Sequence, residues 1–84
     1  MVRLVYFAWV RERIGLTQED VALPAHVLTI ADLIAWLATR GEPYAHAFEA
    51  GASIRAAIDK AHAKHGALIA GAREIAFFPP MTGG

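Results

Sequence analysis

Branched and aromatic residues open the chain in a pattern typical of a β-strand. The segment VRLVYFA, residues 2–8, is rich in the residue types that strands favour. Strict alternation divides it between two faces, the first with Val2, Leu4 and Tyr6 and the second with Arg3, Val5 and Phe7. Because both faces carry apolar side chains, the pattern predicts a strand in the centre of a sheet, or one whose outer face is covered by a partner.

The segment TIADLIAWLATRG, residues 29–41, has apolar residues at the spacing of an α-helix and predicts one. Its apolar positions recur at the spacing of one helix face, namely Ile30, Leu33, Ile34 and Leu37. Thr29 precedes them as the predicted N-cap, and Asp32, three residues later, supplies the second half of a shortened capping box. Gly41 is the predicted end of this helix.

Shorter segments predict the elements around this helix. WVRERIG, residues 9–15, predicts a helical turn ended by Gly15 in a left-handed conformation. EDVAL, residues 19–23, predicts a short strand stopped by Pro24. EPYAHAFEAG, residues 42–51, predicts a loop with one irregular helical turn. No repeat, composition shift or long linker divides the chain into parts.

Residues 53–65, SIRAAIDKAHAKH, fit two structures. Alanine and lysine favour a helix, in which Ile54, Ile58 and His65 would share a face. Alternation fits as well, with Ile54, Ala56 and Ile58 on one face and Arg55 and Ala57 on the other. Local propensity alone favours the helix, and the residues by themselves predict that.

REIAFFP, residues 73–79, predicts a last strand ended by Pro79. Alternation gives it two faces, one with Ile75 and Phe77 and the other with Ala76 and Phe78. Strands near both ends of the chain, with a helix between them, predict an α+β domain.

Composition narrows the class of protein. The 84 residues suffice for one domain. The absence of cysteine removes disulfides, thiol nucleophiles and thiolate metal ligands, and it fits a reducing compartment. Eight basic side chains balance eight acidic ones, so long-range attraction to nucleic acid or an anionic membrane is not expected. The apolar fraction of 56% is high, and we interpret the surplus as a protein-binding face.

A transmembrane span and an export signal are not expected. The longest stretch free of Asp, Glu, Lys and Arg is residues 21–31, which is well short of the ~20 apolar residues that a span needs. No basic segment followed by an apolar stretch opens the sequence. We therefore expect a cytoplasmic, partner-binding domain.

The segment IAFFPPMTGG, residues 75–84, loses side-chain bulk toward its end. Pro79 and Pro80 lack amide hydrogens and favour extended neighbours, so the tail is expected to leave the sheet stiffly and to reach ~20 Å. Side-chain size then falls along Met81, Thr82, Gly83 and Gly84. This taper suits a peptide threaded into a narrow channel, with the Gly84 carboxylate at the bottom.

Three segments, at the spacing expected for one family, carry a resemblance to known proteins: FAWVRERIG (residues 7–15), TIADLIAWLA (29–38) and EIAFFPPMTGG (74–84). With them the chain resembles, from end to end, the small sulfur-carrying subunits of molybdopterin synthases, which belong to the ubiquitin-like MoaD/ThiS family. The final motif is the most specific, since Phe-Phe-Pro-Pro-x-Thr-Gly-Gly is far narrower than Gly-Gly alone. Met81 stands where the family more often has valine.

The resemblance implies a β-grasp fold, in which a mixed sheet packs on one main helix and the first and last strands are parallel and central. It also overrides the helical prediction for residues 53–65, where the family has strands with a turn near Asp59 and Lys60. The β-grasp domain would span residues 1–78, and the extended tail would span residues 79–84.

The resemblance further implies that Gly84 carries the chemistry. A partner related to ubiquitin-activating enzymes would use ATP and magnesium to adenylate its carboxylate, and a persulfide-bearing sulfurtransferase would supply the sulfur of a thiocarboxylate. The large catalytic subunit of molybdopterin synthase would transfer this sulfur to cyclic pyranopterin monophosphate, in a heterotetramer with two copies of each subunit. The chain itself would bind no cofactor or metal, and general acids and bases would belong to the partner.

The family docks its partners through an apolar patch, which implies roles for residues of the sheet. Phe7 and Phe78 would share this patch, and His62 occupies a third position where the family tends to be aliphatic. Arg11 matches the arginine of the family's Arg-Glu pair and is a candidate partner contact, with a plain surface ion pair as the alternative. The residues threaded with Gly84 would be Pro79, Pro80, Met81, Thr82 and Gly83.

Other functions stay open. The chain could carry sulfur for thiazole or another metabolite, or act as a ubiquitin-like modifier joined to lysines through Gly84. It could also be an interaction module whose tail is inert and frayed. His62 and His65 would share a metal only on a helix, and no further ligand lies close by in sequence, so solvated or interface histidines are expected.

Overall fold

The computed structural model describes residues 1–80, and five strands in this range form one mixed sheet. The strands are β1 (Val2–Tyr6), β2 (Gln18–Val21), β3 (Arg55–Ile58), β4 (Ala61–Ala63) and β5 (Glu74–Phe78). They lie in the order β2-β1-β5-β3-β4, with β1 parallel to β5 and the other pairs antiparallel. The predicted arrangement of adjacent, parallel first and last strands is confirmed, with β5 at the centre.

One face of the sheet is buried. The inward side chains of β1 and β5 are Val2, Leu4, Tyr6, Ile75 and Phe77, all of them buried. The parallel register sets Leu4 beside Ile75 and Tyr6 beside Phe77, so these residues form one apolar layer. The predicted alternation of both segments is confirmed, although β1 ends two residues earlier than expected.

Helices α1 (Ala8–Ile14), α2 (Ile30–Ala38) and α3 (Glu42–Ala47) share their core with this buried face, and a short 3-10 helix follows at Gly51–Ser53. The longest of them, α2, buries the four residues that its period predicts, namely Ile30, Leu33, Ile34 and Leu37. The segment expected to be a loop with one irregular turn holds the regular six-residue α3. Within residues 1–80, no helix has the length and apolar character needed to cross a membrane.

The starts and ends of α1 and α2 are set by local hydrogen bonds. Gly15 follows α1 with φ of 87°, as predicted, and its N–H donates to the Arg11 carbonyl at 2.8 Å. At the start of α2, Thr29 and Asp32 form the predicted capping box, in which each side chain accepts a hydrogen bond from the backbone N–H of the other.

The prediction that Gly41 ends α2 is wrong. The helix ends at Ala38, and the next residue, Thr39, donates a side-chain hydrogen bond to the Trp36 carbonyl at 2.6 Å. This bond gives a carbonyl of the last turn a partner outside the helical ladder. Gly41, with φ of 138°, instead precedes α3 as its N-cap.

Residues 53–65 contain β3 and β4, so the helix favoured by local propensity is wrong and the strands implied by the family resemblance are confirmed. β3 pairs with the free side of β5, and Ala56 lies fully buried opposite Phe77. A helix here would leave that edge of the central strand without backbone partners. Sheet pairing therefore outweighs the helical propensity of alanine.

The turn between β3 and β4 lies at Asp59 and Lys60, as the resemblance implied. Both residues have positive φ, 48° and 73°, as in a two-residue type I′ hairpin turn. Asp59 Oδ1 accepts hydrogen bonds from the backbone N–H groups of Arg73 and Glu74, both at 3.0 Å. These bonds tie the turn to the start of β5.

A partly buried ionic cluster joins the helices to the sheet. Glu19 Oε2 on β2 accepts hydrogen bonds from the phenols of Tyr6, at 2.8 Å, and Tyr44, at 2.6 Å. Arg40 Nη1 lies 3.2 Å from the same oxygen. Burial acts to raise the pKa of Glu19, but hydrogen bonds from both phenols and the charge of Arg40 outweigh it and lower that pKa. Burial, with the Glu19 carboxylate beside it, raises the pKa of Tyr6, so this phenol stays protonated.

Candidate functional site

The outer face of the sheet is the face opposite the buried layer, and it carries several of the residues predicted to meet a partner. Directly paired residues share a face, so the registers define its members. On β1 and β5 they are Arg3, Val5, Glu74, Ala76 and Phe78, and on β3 and β4 they are Arg55, Ala57 and His62. The buried face thus carries the helices, and the side chains of this face are exposed or half-buried except for Ala57, which is buried.

Five apolar residues of this face form what we call the outer patch: Val5, Phe7, Ala57, Ala76 and Phe78. Phe7 follows β1, and its N–H donates to the Phe77 carbonyl at 3.0 Å, which extends the β1–β5 pairing by one residue. Phe7 is 46% exposed, and Phe78 is half-buried. The structure therefore brings both predicted aromatic residues to one accessible face, while their contact with a partner stays a prediction.

His62 lies at the border of the outer patch. Its ring packs edge-on against Phe78, with centroids 5.3 Å apart and planes at 82°. β3 runs between β4 and β5, and the residue of β3 opposite His62 is Ala57, whose small side chain leaves room for this contact. His62 thus contacts Phe78, which a surface shared by these two residues requires.

Arg11 is placed differently. It is an exposed residue of α1, and its side chain makes no hydrogen bond or ion pair with any part of residues 1–80. The neighbouring Arg13 instead covers the Trp9 ring, 4.4 Å from its centroid, and donates to the His46 carbonyl at 3.2 Å. No contact in this part of the chain joins Arg11 to the outer patch, so its role at a partner stays a prediction.

Pro79 and Pro80 form the base of the tail, and both are half-buried. β5 ends at Phe78, which confirms the predicted end of the strand before Pro79. Because β5 is paired with β1 on one side and β3 on the other, the tail begins at the centre of the sheet, next to the outer patch. Four of the predicted tail residues lie outside the described range: Met81, Thr82, Gly83 and Gly84.

The outer patch offers apolar contact rather than acid–base chemistry. In residues 1–80, no group of three or more His, Cys, Asp or Glu side chains is arranged to hold a metal ion. His65 directs Nε2 at the Ile54 carbonyl at 2.6 Å, and this nitrogen must carry a proton because a carbonyl only accepts. The Gly84 carboxylate therefore stays the predicted reactive group.

Sequence reasoning did not name Val5, Ala57 and Ala76 as members of the surface around Phe7 and Phe78. For Val5 and Ala76 the signal was present, since alternation set each on the same face as one of the two aromatic residues. Ala57 could be assigned to this surface only if residues 53–65 were strands, and local propensity favoured a helix there.

Known proteins resemble this chain in sequence and in structure. A sequence model of the ThiS family matches residues 4–84. The molybdopterin synthase sulfur carrier subunit of Escherichia coli (strain K12) is 33% identical over 84 residues, which are 100% of both chains.

Among solved structures, SAMP1 from Haloferax volcanii gives a TM-score of 0.71 at 24% identity and covers 99% of this chain and 98% of its own. A putative molybdopterin converting factor, subunit 1, from Pyrococcus furiosus gives a TM-score of 0.71 at 22% identity over 94% of this chain and 95% of its own. These likenesses establish the fold as a ubiquitin-like β-grasp.

Proposed function

The chain belongs to the ThiS family, and from this premise we propose that it is the sulfur-carrier subunit of a molybdopterin synthase. The observation that carries the proposal is the homology to the E. coli sulfur carrier subunit, which spans both chains completely at 33% identity. The family match also extends through the last residue, Gly84. The tail motif and the patch beside it support the same function.

In this proposal the C-terminal carboxylate of Gly84 is the reactive group. Its carboxylate attacks the α-phosphorus of ATP, bound with magnesium on an adenylating partner, and pyrophosphate leaves. The acyl-adenylate is an activated acyl donor, which a free carboxylate is not. The terminal sulfur of a donor persulfide displaces AMP and forms an acyl disulfide with Gly84. A thiol reductant then cleaves the S–S bond, which leaves a thiocarboxylate on Gly84 and incorporates the donor's sulfur into a disulfide with that thiol.

The thiocarboxylate then donates its sulfur within the complex with the large catalytic subunit. Sulfur stabilises negative charge better than oxygen does, so this group is an ionised nucleophile at neutral pH. It attacks cyclic pyranopterin monophosphate, and hydrolysis of the resulting acyl group returns Gly84 to a carboxylate. Repetition with a second charged carrier supplies the second sulfur of the dithiolene.

The described residues support this role through the position of the tail. Pro79 and Pro80 start at the end of the central strand, where pairing on both sides holds the backbone in place. Phe78, the last residue of that strand, belongs to the outer patch. A protein that covers the outer patch is therefore in position to receive the tail from its first residue.

The first test is the intact mass of the chain after incubation with the adenylating enzyme of its own organism, ATP, magnesium and a persulfide donor. The expected gain is the mass difference between one sulfur and one oxygen atom. A parallel incubation without ATP should leave the mass unchanged. If the enzyme consumes ATP in the presence of the chain and the mass still does not change, the sulfur-carrier proposal is wrong.

The second test separates the pathways. The thiocarboxylated chain should convert cyclic pyranopterin monophosphate to molybdopterin when mixed with the large subunit. Turnover only with a thiazole-forming synthase would assign the chain to that pathway instead. Recovery of the chain in isopeptide linkage to lysines, with no sulfur transfer, would assign it to protein modification.

A further inference from the structure

A groove of about 650 Å³ lies at the end of the sheet where β3 begins and β4 ends, beside the base of the tail. Its lining includes Ser53 of the 3-10 helix, Arg55 at the start of β3, His62 on β4, Lys64 and His65 after β4, and Pro80 of the tail, together with the apolar residues Ala52, Ile54 and Ala63. β4 pairs only with β3 among the strands of residues 1–80, so its other edge faces away from the sheet. We call this surface the basic groove.

The basic groove concentrates positive charge in a chain whose formal net charge is zero. Arg55 and Lys64 are exposed, and no carboxylate belongs to the lining. Neither side chain forms an ion pair within residues 1–80. The ion pairs found there join other basic residues to Asp20, Glu19 and Glu49.

The opposite end of the same strands provides a contrast. A second groove, of about 850 Å³, is lined by basic and acidic side chains in equal number: Arg3, Lys60, Arg73, Asp20, Asp59 and Glu74. Arg3 and Asp20 form an ion pair of 3.6 Å, and Asp59 accepts backbone hydrogen bonds. Charge there is balanced within the chain, whereas the charge of the basic groove is not.

We propose that the basic groove binds an acidic segment of the protein that receives the tail. This inference rests on the proposed function, because it assumes that a partner encloses residues 81–84. Pro80 lines the groove, and four further residues at ~3.3 Å each reach only ~13 Å beyond it. A partner that holds Gly84 must therefore lie within about that distance of Pro80, which lines the same groove as Arg55 and Lys64.

The arrangement of the charges favours a protein segment over a small anion. The register that pairs Ala56 with Ala63 sets Arg55, at the start of β3, beside Lys64, just after β4, so both charges lie at one end of the hairpin, next to the base of the tail. Arg55 and Lys64 are both exposed, so neither is enclosed as in a site built around a small anion. Carboxylates on a partner segment that lies beside the tail would complement this charge, and charge complementarity of this kind acts mainly on the association rate.

The test compares two double variants that change the net charge equally. Arg55→Glu/Lys64→Glu reverses the basic groove, and Lys60→Glu/Arg73→Glu reverses the same residue types at the opposite end of the strands. All four side chains are exposed, so both variants should fold, which an amide NMR spectrum of each checks. If the first does not fold, Arg55→Gln/Lys64→Gln replaces it.

Association rates are measured by biolayer interferometry against the adenylating enzyme and against the large synthase subunit of the same organism, in low and in high salt. In low salt the groove variant should associate at least about 10-fold more slowly with one of these proteins, and the control variant should stay within about 2-fold of wild type. The difference should shrink in high salt, because exposed charges are screened.

Three outcomes contradict the inference. Equal rates for both double variants would mean that only net charge matters, and a loss that persists in high salt would mean that the contact is not electrostatic. In an NMR titration with inorganic phosphate, saturable shifts confined to Arg55, Lys64 and His65 would identify a small-anion site instead. Failure of the proposed function is distinguishable, since wild type itself would then gain no thiocarboxylate and bind neither protein.

Discussion

The imidazole of His62 lies edge-on against the ring of Phe78, with centroids 5.3 Å apart, across the small side chain of Ala57 on the strand between them. His62 also lines the basic groove, so one residue joins that groove to the outer patch. A partner that covers both surfaces therefore meets apolar contact at Phe78 and positive charge beyond His62. The start of the tail, at Pro79 and Pro80, lies between these two kinds of surface.

Phe78→Asp should weaken binding to the large synthase subunit by at least about 30-fold, the loss typical of a central aromatic anchor of about 2 kcal/mol. Because Phe78 is half-buried on the outer face, the free energy of unfolding should fall by less than about 1 kcal/mol. Calorimetric titration measures the first quantity, and urea unfolding measures the second.

The matched control is Phe77→Asp, one residue earlier. Phe77 is fully buried and packs edge-on against Phe48 with centroids 5.4 Å apart, so this change should prevent folding. A Phe78→Asp protein that is also unfolded would show that Phe78 supports the core. Unchanged binding by a folded Phe78→Asp protein would remove Phe78 from the interface.

Deletion of Gly84, or addition of one alanine after it, should lower thiocarboxylate formation by at least about 100-fold. Either change moves the carboxylate by ~3.3 Å along the tail, and a displacement of even ~1 Å from a reacting centre costs on that order. The unfolding midpoint should not change, because the altered position comes six residues after the end of β5 in sequence. Intact mass after activation gives the readout.

Met81→Val is the control for the tail. It keeps the length and the apolar character at a position where the family more often has valine, so thiocarboxylate formation should match that of wild type. Full activity of the shortened or lengthened chain would contradict the threading of Gly84 into a narrow channel. A loss of thiocarboxylate formation in Met81→Val would mean that the activating enzyme recognises the methionine side chain at this position.

Much of the fold was predictable because its evidence is local. The alternation of β1 and β5 follows from burial of one face, and the capping box of Thr29 and Asp32 is readable from residue types at fixed spacing. Residues 53–65 were not predictable in the same way. Their alanines have no strand preference, and the structure there is decided by the unpaired edge of β5, which is distant in sequence.

The same distinction between local evidence and long-range pairing applies to the candidate site. The tail motif is contiguous, so the sequence contains it whole, and Phe7 and Phe78 follow from alternation and family resemblance. The basic groove depends on the register of β3 and β4, which brings Arg55 and Lys64 to one end of the hairpin. Only pairing through the turn at Asp59 and Lys60 makes these residues neighbours. A helix over residues 53–65 would have arranged them differently.

Lys60→Gly should raise the free energy of unfolding by about 0.5 kcal/mol. Lys60 has φ of 73°, a conformation that is costly for a residue with a Cβ atom, and the relief exceeds the entropy that glycine loses on folding. Asp-Gly is also a preferred pair for a type I′ turn. Lys60→Ala removes the same charge but keeps the Cβ atom, so it should not stabilise. Equal urea midpoints for the two variants would assign the effect to charge instead of backbone conformation.

Glu19→Gln should lower the free energy of unfolding at neutral pH by about 1.5–3 kcal/mol, because it replaces the charged acceptor of two phenol hydrogen bonds and the partner of Arg40. The pH dependence should change as well. The pKa of Glu19 is lowered in the folded chain, so its ionised form stabilises the fold. That contribution is complete above the pKa of an unfolded glutamate, about 4.3, and is lost as the pH falls through the lower folded pKa.

Urea unfolding at a series of pH values should therefore show an acid-dependent loss in wild type that is smaller in Glu19→Gln. The control is Glu12→Gln, which makes the same change of charge at an exposed glutamate of α1 and should keep the pH profile of wild type. Tyr44→Phe removes one of the two phenol donors while Tyr6 still donates, so it should lower the free energy of unfolding by about 1 kcal/mol and reduce the acid-dependent loss in part. If Glu19→Gln and Glu12→Gln give the same profile, the cluster at Glu19 does not contribute to stability through its charge.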